Sequence, residues 1–347
     1  MEHCSLTQAE QVAAAILKEV EGFRFVWDRR SFIIGVSIGL VLIRATSVDA
    51  SEVMKQADAA CYAAKDGGRN RVHVYQADDS ELARRHGEMQ WVADINQALD
   101  EDRFVLYVQP IVPTTEMRRQ AEHFEVLVRM VAEDGAIIPP GAFLPAAERY
   151  NLAARLDKWV IGTLFRYLKK DPYLHNTLGV CSINLSGQSI ADPDFLSFLI
   201  GQLQNGIEAE RICFEITETA AIANLTRASE FMYQLRALGC RFALDDFGSG
   251  LSSFAYLKSM PVDYLKIDSI FVKTMIEDAA DAALVKSIHE VGKALGKKTI
   301  AEFVENDVIK AKLVEISVDY AQGYGISQPY PLSDFWHMSD RQSVTMG

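Results

Sequence analysis

Seven polar residues, Glu125, Asn184, Glu215, Asp245, Asp246, Lys266 and Glu302, stand at or near the ends of successive apolar runs spread over most of the 347-residue chain. Glutamate, aspartate and asparagine offer hard oxygen ligands, which suit Mg²⁺ or Mn²⁺ better than metals that prefer sulfur and imidazole. The runs contain no metal-spaced histidine pair. Four or five carboxylates in one cavity would repel each other and raise one another's pKa unless cations held them ionised. The same cations would attract a phosphate. Two metals bridged by one carboxylate activate water and stabilise the leaving oxyanion of an in-line displacement at phosphorus, so the expected reaction is phosphodiester hydrolysis.

Each residue taken alone has a plainer explanation. A lone Glu125 or Glu215 is more often a charge on the solvent face of a strand. Asn184 could cap a turn, Asp245 and Asp246 could build an Asx turn before Phe-Gly-Ser-Gly, and Lys266 could be a solvated charge. Independent surface charges, however, have no reason to fall on one register of a repeat. Side chains two apart on a strand share a face, so Glu125, Leu127 and Arg129 are expected to point together, as are Lys266 and Asp268.

The elements that must position these residues begin at Phe104, where apolar runs alternate with amphipathic segments. The runs are FVLYVQPIV, FEVLVRM, VCSINLS, ICFEITET, RFALDDFG, YLKID, TIAEFVE and YAQGYGIS. Eight strands with mostly helical connections predict an α/β fold, a (β/α)8 TIM-like barrel whose strand ends assemble one site at the C-terminal mouth. About ten residues separate Val112 from Phe124, fewer than a parallel crossover usually needs, so the first strand pair is expected to be antiparallel. Helices are expected over Asp194–Leu203, Thr226–Leu238 and Ala282–Leu295, the last stopped at Gly296. Trp159 and Leu156, at helical spacing, are expected in the core.

Upstream, residues 1–78 read as a smaller α/β unit. It has a helix over Thr7–Val20, a strand over Phe32–Ile43, a second helix stopped at Gly67 and Gly68, and a strand resuming at Val72–Tyr75. Residues 79–102 read as a helical linker and 103–340 as the barrel. The Phe32–Ile43 stretch is too short to span a membrane, and the N-terminus lacks the regions of a signal peptide. A cytoplasmic location without membrane contact is therefore expected, although an upstream segment of a longer protein could carry an anchor. Hydrophobic residues make up 49% and charged residues 24% of the chain, which excludes disorder. Its net charge of −12 argues against tracking a long nucleic acid. Five scattered cysteines suit a reducing compartment, with Cys181 and Cys213 read as small core hydrophobes.

Eight ordered motifs carry a family resemblance. They are QPIV at 109–112, FEVLVR at 124–129, SINLS at 182–186, FEITET at 214–219, DDFGSG at 245–250, KID at 266–268, AEFVE at 301–305 and QGY at 322–324. Together they resemble the EAL-domain phosphodiesterases over nearly all of residues 90–335. The resemblance implies hydrolysis of cyclic di-GMP to linear pGpG with two ions, Mg²⁺ or Mn²⁺. Carried over by motif, Glu125, Asn184, Glu215 and Asp245 are metal ligands, with Asp245 shared and Asp246 on the second ion. Glu302 is the general base or a metal-shell acid, Lys266 positions the attacking water, and Gln322 supports them. Gln109, Leu127 and Arg129 are substrate contacts, Glu218 holds the DDFGSG loop, and Asp268 and Glu305 are supporting acids.

The first unit is similar to the C-terminal half of a GGDEF, or diguanylate cyclase, domain, through VSIG at 36–39 and ADAACYAAKDGGRNRV at 57–72. The signature that names that domain is absent, so cyclase activity is not expected. Within the EAL motifs, Val126, Met130, Phe303, Gly325 and Gln328 depart from the usual residues. Strand alternation predicts that Phe303 packs outward into the helix layer. The rival reading is a non-catalytic receptor for the same nucleotide that signals through its linker, and a third is a scaffold, which leaves the clustered acids unexplained. The resemblance also points to a homodimer through Leu251–Met260.

Overall fold

The computed structural model describes residues 4–27, 30–33, 35–43, 50–66, 70–75, 91–115, 122–170, 178–248 and 256–334. The chain divides into two compact units, Met1–Asp94 and Ile95–Gly347.

In the first unit, helix Leu6–Gly22 starts at a capping box in which Ser5 and Gln8 each accept from the other's backbone N–H. Strands Arg24–Trp27 and Arg30–Ile33 form an antiparallel hairpin. Strand Ile38–Leu40 then pairs in parallel with Val72–Val74 across helix Ala50–Asp66. The single strand expected over Phe32–Ile43 is therefore two strands, because residues 35–37 leave the extended ladder. Gly39 lets the helix lie against the sheet, since a Cβ there would fall 2.4 Å from the Cys61 backbone nitrogen. Gly67 and Gly68 lie outside the described residues.

The second unit is a closed eight-stranded barrel. Its strands are β1 (Phe104–Pro113), β2 (Glu122–Val131), β3 (Leu178–Asn184), β4 (Ile212–Thr217), β5 (Arg241–Phe247), β6 (Tyr264–Ile267), β7 (Lys298–Ala301) and β8 (Tyr320–Ala321). Neighbours from β2 to β8 run parallel, while β1 is antiparallel to both β2 and β8. The first strand is thus inverted, as the short β1–β2 connection requires. The run YAQGYGIS yields a strand only at Tyr320–Ala321, because the chain then turns at Gly323 (φ +155°).

Helices Pro193–Leu203, Leu225–Arg236 and Ala279–Ala294 cover the outside, the last ending before Gly296 at φ +70°. Their apolar stripes bury Phe195, Phe231 and Val285 against outward strand residues such as Phe124, Phe214 and Phe242. Helix Ala153–Lys170 buries Leu156, Val160, Ile161 and Leu164. Trp159, expected in the core, is only partly buried, because its indole N–H turns outward to donate to Asp102 at 3.0 Å. Helical residues 91–100 bury Ile95 and Ala98. The remainder of the expected linker, 79–90, lies outside the described residues, as do 251–255 of the expected dimer segment. No helix among the described residues is long and apolar enough to cross a membrane.

Inside the barrel, residues two apart on each strand form an upper and a lower set. The lower set is Ile111, His123, Ser182, Cys213, Ala243, Tyr264, Ile300 and Tyr320. Two residues toward the C-terminal mouth on the same strands stand Glu125, Asn184, Glu215, Asp245, Lys266, Glu302 and Gln322. On the inverted β1 the corresponding step runs from Ile111 back to Gln109.

Candidate active site

Lys266, at the end of β6, is 1% exposed and stands at the centre of the upper set. Its Nζ lies 2.5 Å from Glu215, 2.8 Å from Glu302, 3.0 Å from Asp245 and 3.6 Å from Glu125. Burial opposes the ammonium charge, but Asp245, Glu125, Glu215 and Glu302 together hold the Lys266 pKa well above the ordinary lysine value.

A single ammonium does not neutralise this cluster. Burial pushes Glu215 up to about 8 against the pull of Lys266, with Glu125 and Asp245 adding repulsion. Burial likewise raises Glu302 well above the carboxylate range against Lys266, with repulsion from Asp245 and Glu125. Glu125 is the exception: burial would raise it, but Lys266 and hydrogen bonds from Gln322 and Asn184 lower it. These last bonds are short, 2.6 Å from Gln322 Nε2 and 2.6 Å from Asn184 Nδ2.

Consecutive residues in an extended strand face opposite ways, yet the carboxylates of Asp245, Asp246 and Glu302 have oxygens all within 4.8 Å of one another. Asp246 makes this possible by leaving the strand in the left-handed region, at φ +53°. A short polar side chain tolerates that backbone better than a bulky one. Burial raises Asp246 to about 6, with Asp245 and Asp268 adding repulsion. The β5–β6 register shifts between Leu244 and Phe247 at the same place.

The other expected site residues divide by position. Gln109 accepts from Gln322 Nε2 at 3.0 Å and donates to the Ser327 carbonyl at 3.0 Å, so it ties the QGY loop to Glu125 through Gln322. Leu127 pairs with Tyr107, and the Arg129 guanidinium lies 5.3 Å from the Tyr107 ring centroid. Glu218 accepts from the Gly248 N–H at 3.0 Å and from the Tyr256 hydroxyl, joining the start of the DDFGSG loop to the helical turn after it. Tyr256 carried no sequence signal. Asp268 caps helix Ser269–Thr274 by accepting from the Ile270 N–H at 2.9 Å. Glu305 is exposed and no contact joins it to the others among the described residues.

Phe303 does not pack into the helix layer. Its backbone is left-handed, at φ +57°, so strand alternation fails, and the ring is 39% exposed with Lys273 Nζ 3.7 Å from its centroid. The same turn carries the chain away from the site before Glu305. Gly325 has a steric reason: a Cβ there would fall 2.5 Å from the Glu305 carbonyl carbon. Val126 and Met130 are buried, and Gln328 is exposed.

The donor set fits divalent cations on its own chemistry. The acids and Asn184 present hard oxygens, the acids repel one another, and the buried Glu215 Oε1 receives no hydrogen bond.

Comparison with known proteins matches residues 92–329 to the EAL domain. The chain belongs to the EAL domain family. Residues 1–71 match the diguanylate cyclase, GGDEF domain. Cyclic di-GMP phosphodiesterase PdeB of Shewanella oneidensis is 43% identical over 303 residues, covering 87% of this chain and 35% of that protein. Cyclic di-GMP phosphodiesterase PdeF of Escherichia coli is 36% identical over 243 residues, covering 69% and 32%. The chain thus spans about a third of the length of these curated relatives. Among solved structures, the PaMucR phosphodiesterase complex with c-di-GMP superposes with a TM-score of 0.65 at 29% identity, covering 71% of this chain and 99% of that one. The FimX EAL domain of Pseudomonas aeruginosa bound to c-di-GMP gives 0.62 at 30% identity, covering 69% and 96%. The closed barrel and its inverted first strand are the EAL domain of this chain.

Proposed function

We propose that this chain hydrolyses cyclic di-GMP to linear pGpG with two divalent ions, Mg²⁺ or Mn²⁺. The observation that carries the reading is the crowding of Asp245, Asp246 and Glu302 within 4.8 Å, beside a lysine already shared among four acids. Relatives named as cyclic di-GMP phosphodiesterases support the substrate. Glu125, Asn184, Glu215 and Asp245 would hold one ion, and Asp245 with Asp246 the second. Divalent cations there supply charge for the phosphoryl oxygens and lower the pKa of water.

The chain's own residues do the rest. Lys266 orients the attacking water by donating from Nζ, and Glu302 accepts its proton. The pKa of Glu302, high when Lys266 alone faces the acids, falls when further positive charge joins the cluster, leaving it free to act as the base. Arg129 donates to a phosphate oxygen, while Gln109 and Leu127 line the nucleotide's path. Gln322 and Asn184 fix the Glu125 carboxylate through both of its oxygens. Glu218 holds the loop that carries Asp246, and Asp268 shapes the β6 end below it.

Incubation with cyclic di-GMP and either Mg²⁺ or Mn²⁺, followed by chromatography, tests this reading. Linear pGpG is expected with metal and absent with EDTA. Tight nucleotide binding without turnover under either metal would make the chain a receptor.

A further inference from the structure

One acid in the barrel wall is not used by the chemistry above. Asp157 lies on helix Ala153–Lys170 between the buried Leu156 and Val160. It accepts from the Ser186 backbone N–H at 2.9 Å and from the Ser189 hydroxyl at 2.7 Å, both on Oδ2. Burial pushes Asp157 up to about 6, against those two hydrogen bonds and with Glu148 adding repulsion. An acid placed there at an electrostatic cost, with no cation paired to it among the described residues, calls for a positional explanation.

The segment it grips leaves the site directly. Asn184 ends β3 and donates to Glu125, Leu185 donates its N–H to the Glu215 carbonyl at 2.9 Å, and Ser186 caps the short helix Gly187–Ala191. The β2–β3 connection holds this turn at further points: the Glu148 carbonyl accepts from Gln188, and Lys158 pairs with Asp192 at 3.8 Å. Asp157 is the one of these grips that reaches a backbone group two residues from Asn184.

We infer that Asp157 is a positioning residue, whose carboxylate fixes the turn after β3 and so the approach of Asn184 to the metal site. This rests on the metal-dependent reading above. Asn184 is exposed at the mouth, and among the described residues its side chain is held by one hydrogen bond, to Glu125, so the backbone on either side of it decides where its amide oxygen can reach. Groups that orient metal ligands typically change metal affinity by about 10- to 100-fold when removed.

Mn²⁺ binding to the full chain, followed by the EPR signal of free Mn²⁺ and without substrate, tests the inference separately from turnover. Asp157→Ala and Asn184→Ala are each expected to weaken Mn²⁺ binding about 10-fold or more. Asp157→Asn keeps an oxygen that can accept both hydrogen bonds, so it is expected to restore binding to within about twofold of wild type. Ser189→Ala, which removes one of the two contacts without touching the acid, is expected to fall between, at about threefold; it provides the reading if Asp157→Ala does not fold. A lowered Tm with unchanged Mn²⁺ affinity in both Asp157→Ala and Ser189→Ala would make the role merely structural and overturn the inference. Wild type that binds no Mn²⁺ would overturn the metal-dependent reading and the inference with it. Weakening in Asn184→Ala alone would leave the metal site standing and remove Asp157 from it.

Discussion

The two ends of the barrel interior are built from the same strands, two residues apart, and they accommodate buried polarity in opposite ways. At the lower end His123 exchanges a hydrogen bond with Ser182 at 2.9 Å and packs beside Tyr264 and Tyr320, with ring centroids 5.4 and 6.0 Å away. The tyrosine hydroxyls accept from Arg241 and Lys298 at 3.1 and 3.2 Å, and the rest of the layer is apolar or small. Polar groups there satisfy each other, and the cations that reach the tyrosines are half-buried or exposed rather than buried in the interior. At the upper end Glu125, Glu215, Asp245, Asp246 and Glu302 share the field of one ammonium, and several of them are displaced upward in pKa. A lower end of this kind stabilises the fold, whereas an upper end of this kind becomes stable only with more positive charge.

Truncating side chains at each end should break this contrast most visibly. Glu302→Ala or Glu125→Ala is expected to lower the rate of cyclic di-GMP cleavage by about 10³-fold or more, read by pGpG chromatography, with little loss of Tm. Wild-type rates in Glu302→Ala would remove it as the base. Lys266→Met leaves buried acids without their partner and is expected to destabilise the metal-free protein by about 3–5 kcal/mol in urea unfolding, a loss that Mn²⁺ reduces. Ile300→Ala, in the lower layer, is expected to cost about 2–5 kcal/mol, and Mn²⁺ should recover none of the cost specific to the cavity.

Acid titration sharpens the comparison further. Burial first, then the charges of Lys266, Arg241 and Lys298, lower the His123 pKa to about 3. The folded protein therefore favours neutral His123. The associated stability is complete above the ordinary histidine value of 6.5 and is lost as the pH falls below it, by about 2 kcal/mol at pH 5. His123→Gln is expected to flatten that part of the stability profile, and an unchanged slope between pH 6.5 and 5 would contradict it.

The smallest effect is expected at the rim. Phe303→Gly relieves a left-handed backbone but loses the contact with Lys273, so its net effect on stability should stay within about 1 kcal/mol.

Much of the barrel was legible in the sequence because its signals are local. Apolar runs marked the strands, and the short gap between Val112 and Phe124 gave the inversion of β1. The acids stood out because they recur at strand ends. Backbone departures at those ends were not legible. Strand alternation assumes extended geometry, and it failed at Phe303, where the chain turns left-handed. That Asp245 and Asp246 serve one site was expected from the DDFGSG motif, but the left-handed turn of Asp246 that brings them together was not visible in strand alternation. Asp157 left a weaker trace, a lone acid within the apolar stripe of its helix, while its partners Ser186 and Ser189 became visible only in three dimensions.

Thermal unfolding in EDTA and in saturating Mn²⁺, for wild type beside Glu215→Ala, bears most directly on the claim that the upper acids form a cation site. Wild type is expected to gain about 2.7 kcal/mol at a Mn²⁺ concentration one hundred times its Kd, with a matching rise in Tm, and Glu215→Ala most of that less. Equal and negligible shifts in the two proteins would contradict it.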